Sequence, residues 1–127
     1  MKILLTRSKI DSLETSKILR EKMWDFEIAP LIDVKKKTYR FKKFIGVDVI
    51  MFTSKNGIRY FDDKNILFNK NLRIFAVGSG TKKLLEETGV SNVFDSDGDL
   101  KELKKKIARF LKSGMKVLHP TSNIVEE

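Results

Sequence analysis

The sequence predicts an α/β fold built on a parallel sheet, made of βαβ units of the flavodoxin-like kind. Short apolar runs typical of buried strands alternate with segments whose apolar residues recur at helical spacing. Strands that alternate with helices imply βαβ units, because parallel strands need a long crossover connection. With 127 residues, 41% of them hydrophobic, the chain is long enough for one ordinary domain.

The first elements predicted are a strand, a helix and an extended segment. Residues 2–5 form a short apolar run, and from residue 8 to residue 23 the apolar positions keep a mostly helical spacing. Residues 26–34 are extended but contain Pro30, so we favour an edge strand or a connector over a central strand.

A basic segment, 35-KKKTYRFKKF-44, follows and is the best candidate for a domain boundary. It interleaves aromatic residues with lysine and arginine, which is also a pattern of nucleic-acid-binding patches. We favour a solvated linker with Phe41 or Phe44 tucked into the core, so nucleic acid is the less favoured partner.

The remaining elements continue the alternation of strands and helices. Gly89 is expected to cap one helix, and Gly114 ends the last helix, whose apolar residues lie on one face. A doubly wound domain would continue with a helix after residue 118, so the chain is expected to be unfinished. The predicted strands are 48–52, 72–77, 92–94 and 115–118, and the predicted helices are 56–63, 80–88 and 99–112.

The composition restricts the kinds of partner and site that the chain is expected to have. The net charge of +9 favours anionic partners such as nucleic acid, anionic lipid, a phosphate or a polycarboxylate, although general lysine enrichment explains it equally well. The chain has no cysteine and one histidine, which argues against a metal site and against a Ser/His/Asp triad. No apolar run approaches the length of a membrane helix, so no membrane partner is expected. The absence of cysteine and of a secretory signal favours the cytoplasm.

Polar and small residues follow the strands, at the edge where parallel sheets bind ligands. Hydroxyls, glycines and the unpaired N–H groups of helix N-termini together suit carboxylates or phosphates. N-capping explains any one of these loops as well, but four such loops favour a shared anion site. The predicted substrate-binding residues are Thr6, Arg7, Thr53, Ser54, Asn56, Gly78, Ser79, Gly80, Thr121 and Ser122.

Two known motifs match the sequence in part, but the sequence lacks the residue spacing that each of them requires. The segment 78-GSGTKK-83 lacks the G-x-x-x-x-G-K-[ST] spacing of a phosphate loop. Ser54 lies at a strand-to-helix turn, but the G-x-S-x-G pattern of a nucleophile elbow is absent. We therefore interpret the loop after residue 52 as one wall of the shared anion site.

Several segments, taken in order, resemble uroporphyrinogen-III synthase. The most specific part is an ordered pair of patterns, D-x-I-x-F-T-S-x-N-G followed by V-G-x-x-T-x-x-x-L-x-x-x-G. The matching segments are 3-ILLTR-7, 30-PLIDV-34, 48-DVIMFTSKNGIRYF-61, 74-IFAVGSGTKKLLEETG-89 and 116-KVLHP-120.

The resemblance implies a cytoplasmic lyase, more narrowly a hydro-lyase, that works in tetrapyrrole and haem biosynthesis without a cofactor or a metal. Its substrate would be the polycarboxylate hydroxymethylbilane, which the family cyclises to uroporphyrinogen III with loss of water and inversion of ring D. Thr81 matches the threonine of the family's V-G-x-x-T motif and is the candidate catalytic residue. Ser54 and Asn56 match the loop that faces the substrate.

The resemblance also implies a domain organisation. Family members have two α/β domains joined by a two-stranded connector, and this chain has about half their length. Residues 1–34 correspond to the opening βαβ unit of domain one, residues 35–44 to the basic crossing and residues 45–127 to most of domain two. Because the part that completes domain one is absent, we expect the chain alone to lack a complete cleft and to self-associate. The sequence leaves open whether the chain alone is active.

Two other function classes stay open. The same strand tips suit a non-catalytic α/β module that binds a different anion. The segment 35–44 suits a basic nucleic-acid-binding domain, which would bind random oligonucleotides in a salt-sensitive way.

Overall fold

The computed structural model describes residues 1–38, 46–96 and 100–122. The chain divides into two compact units, Met1–Lys37 and Thr38–Glu127, and each has its own sheet. Most of the basic segment 35–44 and the residues after 122 lie outside the described ranges, and so do the predictions made for them. Within those ranges, no helix is both long and apolar enough to cross a membrane.

The first unit is a single βαβ motif in which a helix connects two parallel strands. Ile3 lies opposite Phe26 in the register of the pair. Ser8 is the N-cap of the helix, and its Oγ accepts a hydrogen bond from the backbone N–H of Asp11. The extended segment predicted over 26–34 is a strand only over its first part. The elements are β1 (Ile3–Leu5), α1 (Lys9–Glu21) and β2 (Phe26–Ile28).

In the second unit, strands and helices alternate along the chain as the sequence predicts. The strands are short and mostly apolar, and each pair of successive strands is separated by helical residues. The elements are β3 (Val49–Phe52), α2 (Lys55–Arg59), a 3-10 helix (Lys64–Phe68), β4 (Arg73–Val77), α3 (Ser79–Glu87), β5 (Val93–Ser96), α4 (Leu100–Phe110) and β6 (Val117–Leu118).

The strands of the second unit form one parallel sheet in the order β5-β4-β3-β6, with helices on both faces. Successive side chains point to opposite faces of the sheet. On one face, Phe52 and Ile74 are buried with Leu85 of α3. On the other face, Phe75 is buried with Leu103 of α4. The predicted α/β class with parallel sheets is confirmed.

The strand order places a topological switch between β3 and β6. From β3 the chain moves outward to β4 and β5, and α4 then returns it to the other side of β3. In the register of the sheet, Ile50 of β3 therefore pairs with Ile74 of β4 on one side and with Leu118 of β6 on the other. In open α/β sheets, ligands bind beyond the carboxyl ends of the strands at such a switch. The residues that follow β3 and β6 are thus where a site is expected.

One predicted helix is shorter than expected. The sequence predicts a helix over 56–63, but α2 ends at Arg59 and a separate 3-10 helix follows. Asn56 and Gly57 are weak helix formers inside this segment, and two aspartates at 62–63 favour a turn after it. The loop after β3 therefore carries only a short helix, with a correspondingly small dipole.

Candidate functional site

The carboxyl edge of the second unit brings three of the predicted polar loops together. Residues 53–56 follow β3, residues 78–80 follow β4 and residues 119–122 follow β6. Because these three strands are adjacent and parallel, their carboxyl ends lie at the same edge of the sheet. We call these three loops the polar edge. Thr6 and Arg7 follow β1 in the first unit, and their role stays a prediction.

A hydrogen bond joins the two loops that flank the topological switch. The Oγ1 atom of Thr53 and the Nε2 atom of His119 are 3.0 Å apart, although the two residues are separated by 66 positions in sequence. His119 is partly buried, and this burial, together with the positive charge of Lys104, lowers the pKa of its imidazole below the usual 6.5. A neutral imidazole is therefore favoured beside Thr53 at neutral pH.

Two of the predicted binding residues also make local contacts within the loop after β3. The Oγ of Ser54 accepts a hydrogen bond from the backbone N–H of Gly57 at 3.3 Å, as an N-cap does. The Oδ1 of Asn56 accepts a hydrogen bond from Nη1 of Arg59 at 2.9 Å. Capping thus accounts for part of the polar character of this loop, and Ser54 still lies exposed at the edge.

Two glycines allow the loops of the polar edge to approach one another closely. A Cβ atom added at Gly57 would lie 2.8 Å from the carbonyl oxygen of Pro120, so the loop after β6 is seated directly on α2. A Cβ atom added at Gly80 would lie 3.2 Å from Cε of Lys55. The Lys55 side chain therefore extends from the loop after β3 to the first turn of α3.

Only Gly78 lies between the end of β4 and the first turn of α3. Gly78 precedes the helix with a φ of 78°, a left-handed conformation that favours glycine. Ser79 and Gly80 are exposed, whereas the Thr81 side chain is only 6% exposed. Backbone groups and the Ser79 hydroxyl thus face solvent here, and the motif threonine packs toward the core.

A family model described as uroporphyrinogen-III synthase HemD matches residues 14–127. The chain belongs to the uroporphyrinogen-III synthase family. The resemblance carried by the two sequence patterns is therefore confirmed, and with it a synthase-like function in tetrapyrrole biosynthesis. The match includes every loop of the polar edge, whereas Thr6 and Arg7 precede it. A search of curated proteins found no match for this chain.

Sequence reasoning missed two residues of the polar edge of this synthase-family chain. His119 lies in the polar loop predicted after the last strand but is absent from the predicted binding residues, yet it is the first residue after β6 and contacts Thr53. Lys55 lies in the polar loop predicted after residue 52 but is absent from the predicted binding residues, yet its side chain reaches α3. The position of each residue directly beyond a strand end was the signal that could have found it.

Proposed function

We propose that this chain acts as a uroporphyrinogen-III synthase, a cytoplasmic lyase of haem biosynthesis that needs no cofactor. It would cyclise hydroxymethylbilane to uroporphyrinogen III with inversion of ring D and loss of water. The match of the family model over residues 14–127 carries the proposal. The polar edge supports it, because loops rich in hydrogen-bond donors at the switch point of a parallel sheet suit a polycarboxylate ligand.

The proposed reaction needs positioning more than it needs a reactive side chain. The terminal hydroxyl of the substrate leaves with a proton as water, and the adjacent pyrrole becomes an azafulvene. The substituted carbon of ring D attacks the azafulvene carbon to give a spiro pyrrolenine, which fragments and recloses with ring D inverted. The proton lost from carbon on reclosure is matched by the one that returns to the pyrrole nitrogen, so the only net loss is one water. Holding the two ends of a flexible chain together supplies much of the rate, and departure of the hydroxyl requires at most one general acid.

The residues of the polar edge would bind the carboxylates of the substrate. Lys55 contributes a positive charge, Thr53 and Ser79 contribute hydroxyls, and α3 contributes the unpaired N–H groups of its first turn. One exposed helix terminus stabilises an anion by only ~0.3–1 kcal/mol, so several of these groups must act on one ligand. The net charge of +9 would attract such a ligand over a longer range. We retain Thr6, Arg7, Ser54, Asn56, Gly78, Gly80, Thr121 and Ser122 as proposed binding residues.

Thr81 is the proposed catalytic residue. Its place in the first turn of α3 puts it one residue beyond the exposed backbone of Gly80. Its match to the threonine of the family's V-G-x-x-T motif supports this role, and its burial limits the freedom of the hydroxyl to move. Thr81→Val keeps the shape and removes the hydroxyl, so we expect it to lower kcat more than it raises KM.

An assay with freshly prepared hydroxymethylbilane tests the proposal. Without a synthase the bilane closes spontaneously to uroporphyrinogen I, so the two product isomers, separated by chromatography after oxidation, report the activity directly. We expect uroporphyrinogen III to dominate in the presence of the chain. Formation of uroporphyrinogen I alone would refute the proposal. If uroporphyrin still bound to the chain in that case, the non-catalytic anion-binding alternative would be favoured.

A further inference from the structure

The contact between Thr53 and His119 is held in place from both sides. Thr53 directly follows β3, and His119 directly follows β6, whose Leu118 is in register with Ile50 of β3. On the other side of His119, the carbonyl oxygen of Pro120 lies against Gly57. The backbone therefore holds the two residues side by side at the topological switch of the sheet, and their side chains meet there at 3.0 Å.

The direction of this hydrogen bond decides what the Thr53 hydroxyl can offer a ligand. A threonine hydroxyl has one hydrogen to donate, and an ionised carboxylate can only accept. If Nε2 of His119 carries no proton, Thr53 donates its hydrogen to the imidazole and presents only lone pairs to the ligand. If Nε2 carries a proton, the imidazole donates to Oγ1, and the Thr53 hydrogen is available to a carboxylate.

We propose that His119 is a positioning residue, whose Nε2–H donates to Oγ1 of Thr53 and thereby directs the Thr53 hydroxyl hydrogen to a carboxylate of the substrate. This inference rests on the proposed function, because it takes the ligand of the polar edge to be a polycarboxylate. Burial and Lys104 lower the pKa of the imidazole, so at neutral pH it carries a single proton. When that single proton is on Nε2, the Thr53 hydroxyl can donate its own hydrogen to a carboxylate.

The first experiment measures the tautomer directly. The chain has one histidine, so a sample labelled with ¹⁵N at the histidine ring gives one pair of imidazole signals. We expect their ¹⁵N shifts at neutral pH to be those of the Nε2–H form when uroporphyrin III, a stable polycarboxylate probe, is present. Thr53→Val removes the partner oxygen, and we expect it to shift the signals toward a mixture of tautomers. A Nδ1–H form with the probe bound, or shifts that are unchanged in Thr53→Val, would overturn the inference.

The second experiment compares two substitutions of the same residue by the isomer assay. The amide nitrogen of glutamine can donate a hydrogen bond to Thr53, whereas leucine fills a similar volume and cannot. We expect His119→Leu to raise KM by about tenfold with little change in kcat, the size expected for one hydrogen bond to a charged group. His119→Gln should restore most of the loss, and Lys70→Gln, an exposed residue that precedes β4 at the other end of the strand, should change neither constant.

The outcomes separate the inference from the proposed function. Equal losses in His119→Leu and His119→Gln, or a fall in kcat at unchanged KM, would show that His119 does not act through its hydrogen bond to Thr53. If the unaltered chain forms only uroporphyrinogen I, the proposed function fails. The dissociation constant for uroporphyrin III is then measured for the same variants, and an unchanged constant in His119→Leu would refute the inference by itself.

Discussion

The two units of this protein use the same βαβ motif, but their helices bury different kinds of side chain. The residues that α1 buries in the first unit are mostly polar, namely Asp11, Ser12, Ser16 and Leu19. The residues that the longer helices of the second unit bury are mostly apolar, with Leu85 in α3 and Leu103 and Ile107 in α4. The same local pattern is therefore stabilised by hydrogen bonds in one unit and by a hydrophobic core in the other.

The polar contacts of the first unit are local ones. The Oγ of Ser8 donates to Oδ2 of Asp11 at 2.8 Å, and the Oγ of Ser12 donates to the carbonyl oxygen of Arg7 at 3.2 Å. Apolar side chains of α1 such as Ile10 and Leu13 are exposed instead. A hydrogen bond adds a net ~0.5–1.5 kcal/mol, whereas burying one leucine side chain adds ~1.5–3 kcal/mol. We therefore expect the first unit to lose its structure before the second.

The largest expected effect compares two leucines, each in the helix of a different unit. Leu85 of α3 is 0% exposed, whereas Leu13 of α1 is 43% exposed. We expect Leu85→Ala to lower the free energy of unfolding by ~2–5 kcal/mol, because it leaves a cavity in the core. We expect Leu13→Ala to change it by no more than ~0.5 kcal/mol. Urea titration followed by circular dichroism measures both values, and equal losses would break the comparison between the units.

The next largest effect on stability concerns the close contact between the loop after β6 and α2. Gly57→Ala would place a methyl group against the backbone carbonyl of Pro120, which cannot move freely, so we expect a loss of ~1–3 kcal/mol. Gly80→Ala is the matched control, because its methyl group would meet only the flexible end of Lys55. We expect that variant to be neutral or to gain up to ~1 kcal/mol from helix propensity. Calorimetric melting of both variants tests the pair, and a Gly57→Ala protein as stable as Gly80→Ala would contradict the close seating.

A smaller effect on stability is expected from the N-cap of α1 in the first unit. Ser8→Ala removes the N-cap of α1, and we expect a loss of ~1 kcal/mol from the first unit alone. Trp24 is the only tryptophan and lies in that unit, so its fluorescence reports the unit specifically. The urea transition seen by fluorescence should move to lower urea, and the transition seen by circular dichroism should move less, because it also reports the helices of the second unit. Ser113→Ala, at an exposed turn of the second unit, is the control and should move neither.

The smallest expected effect is a dependence of stability on pH that belongs to the second unit. The folded-state pKa of His119 lies below its unfolded value of about 6.5, so the unfolded chain binds this proton more readily. The stability from this group is thus present above pH 6.5 and is lost as the pH falls through the folded-state pKa. Between about pH 7.5 and about pH 5.5 the unaltered chain should lose more unfolding free energy than His119→Gln does. The same loss in both proteins would contradict the lowered pKa.

Much of the fold was predictable from local patterns, because strands and helices differ in the period of their apolar residues. The runs that became β3 and β4 are apolar except for the exposed Arg73 at the start of β4, as is typical of strands covered on both faces. The side of α1 that is buried was not predictable in the same way. A helical period identifies the helix, but α1 buries Ser12 and Ser16 beside Leu19. Ile10 and Leu13 of the apolar stripe are exposed instead.

The candidate site was predictable at the level of loops and not at the level of contacts. Residues that follow parallel strands must share an edge, and this rule alone identified Thr53, Ser79 and Thr121 as candidates. The hydrogen bond between Thr53 and His119 depends on β6 pairing with β3, which sequence spacing does not specify. The reach of Lys55 to α3 depends on a side-chain conformation in the same way. Their roles in binding remain proposals that the experiments above address.

The central claim is that the polar edge of the second unit binds a polycarboxylate tetrapyrrole, and one measurement tests it most directly. The ¹⁵N-labelled chain is titrated with uroporphyrin III, and the backbone amide shifts are followed by nuclear magnetic resonance. We predict that the largest changes fall on residues 53–57, 78–81 and 119–122, beyond the carboxyl ends of β3, β4 and β6. Changes confined to the opposite edge, at residues 46–48, 70–72 and 115–116, or no changes at all, would contradict the account.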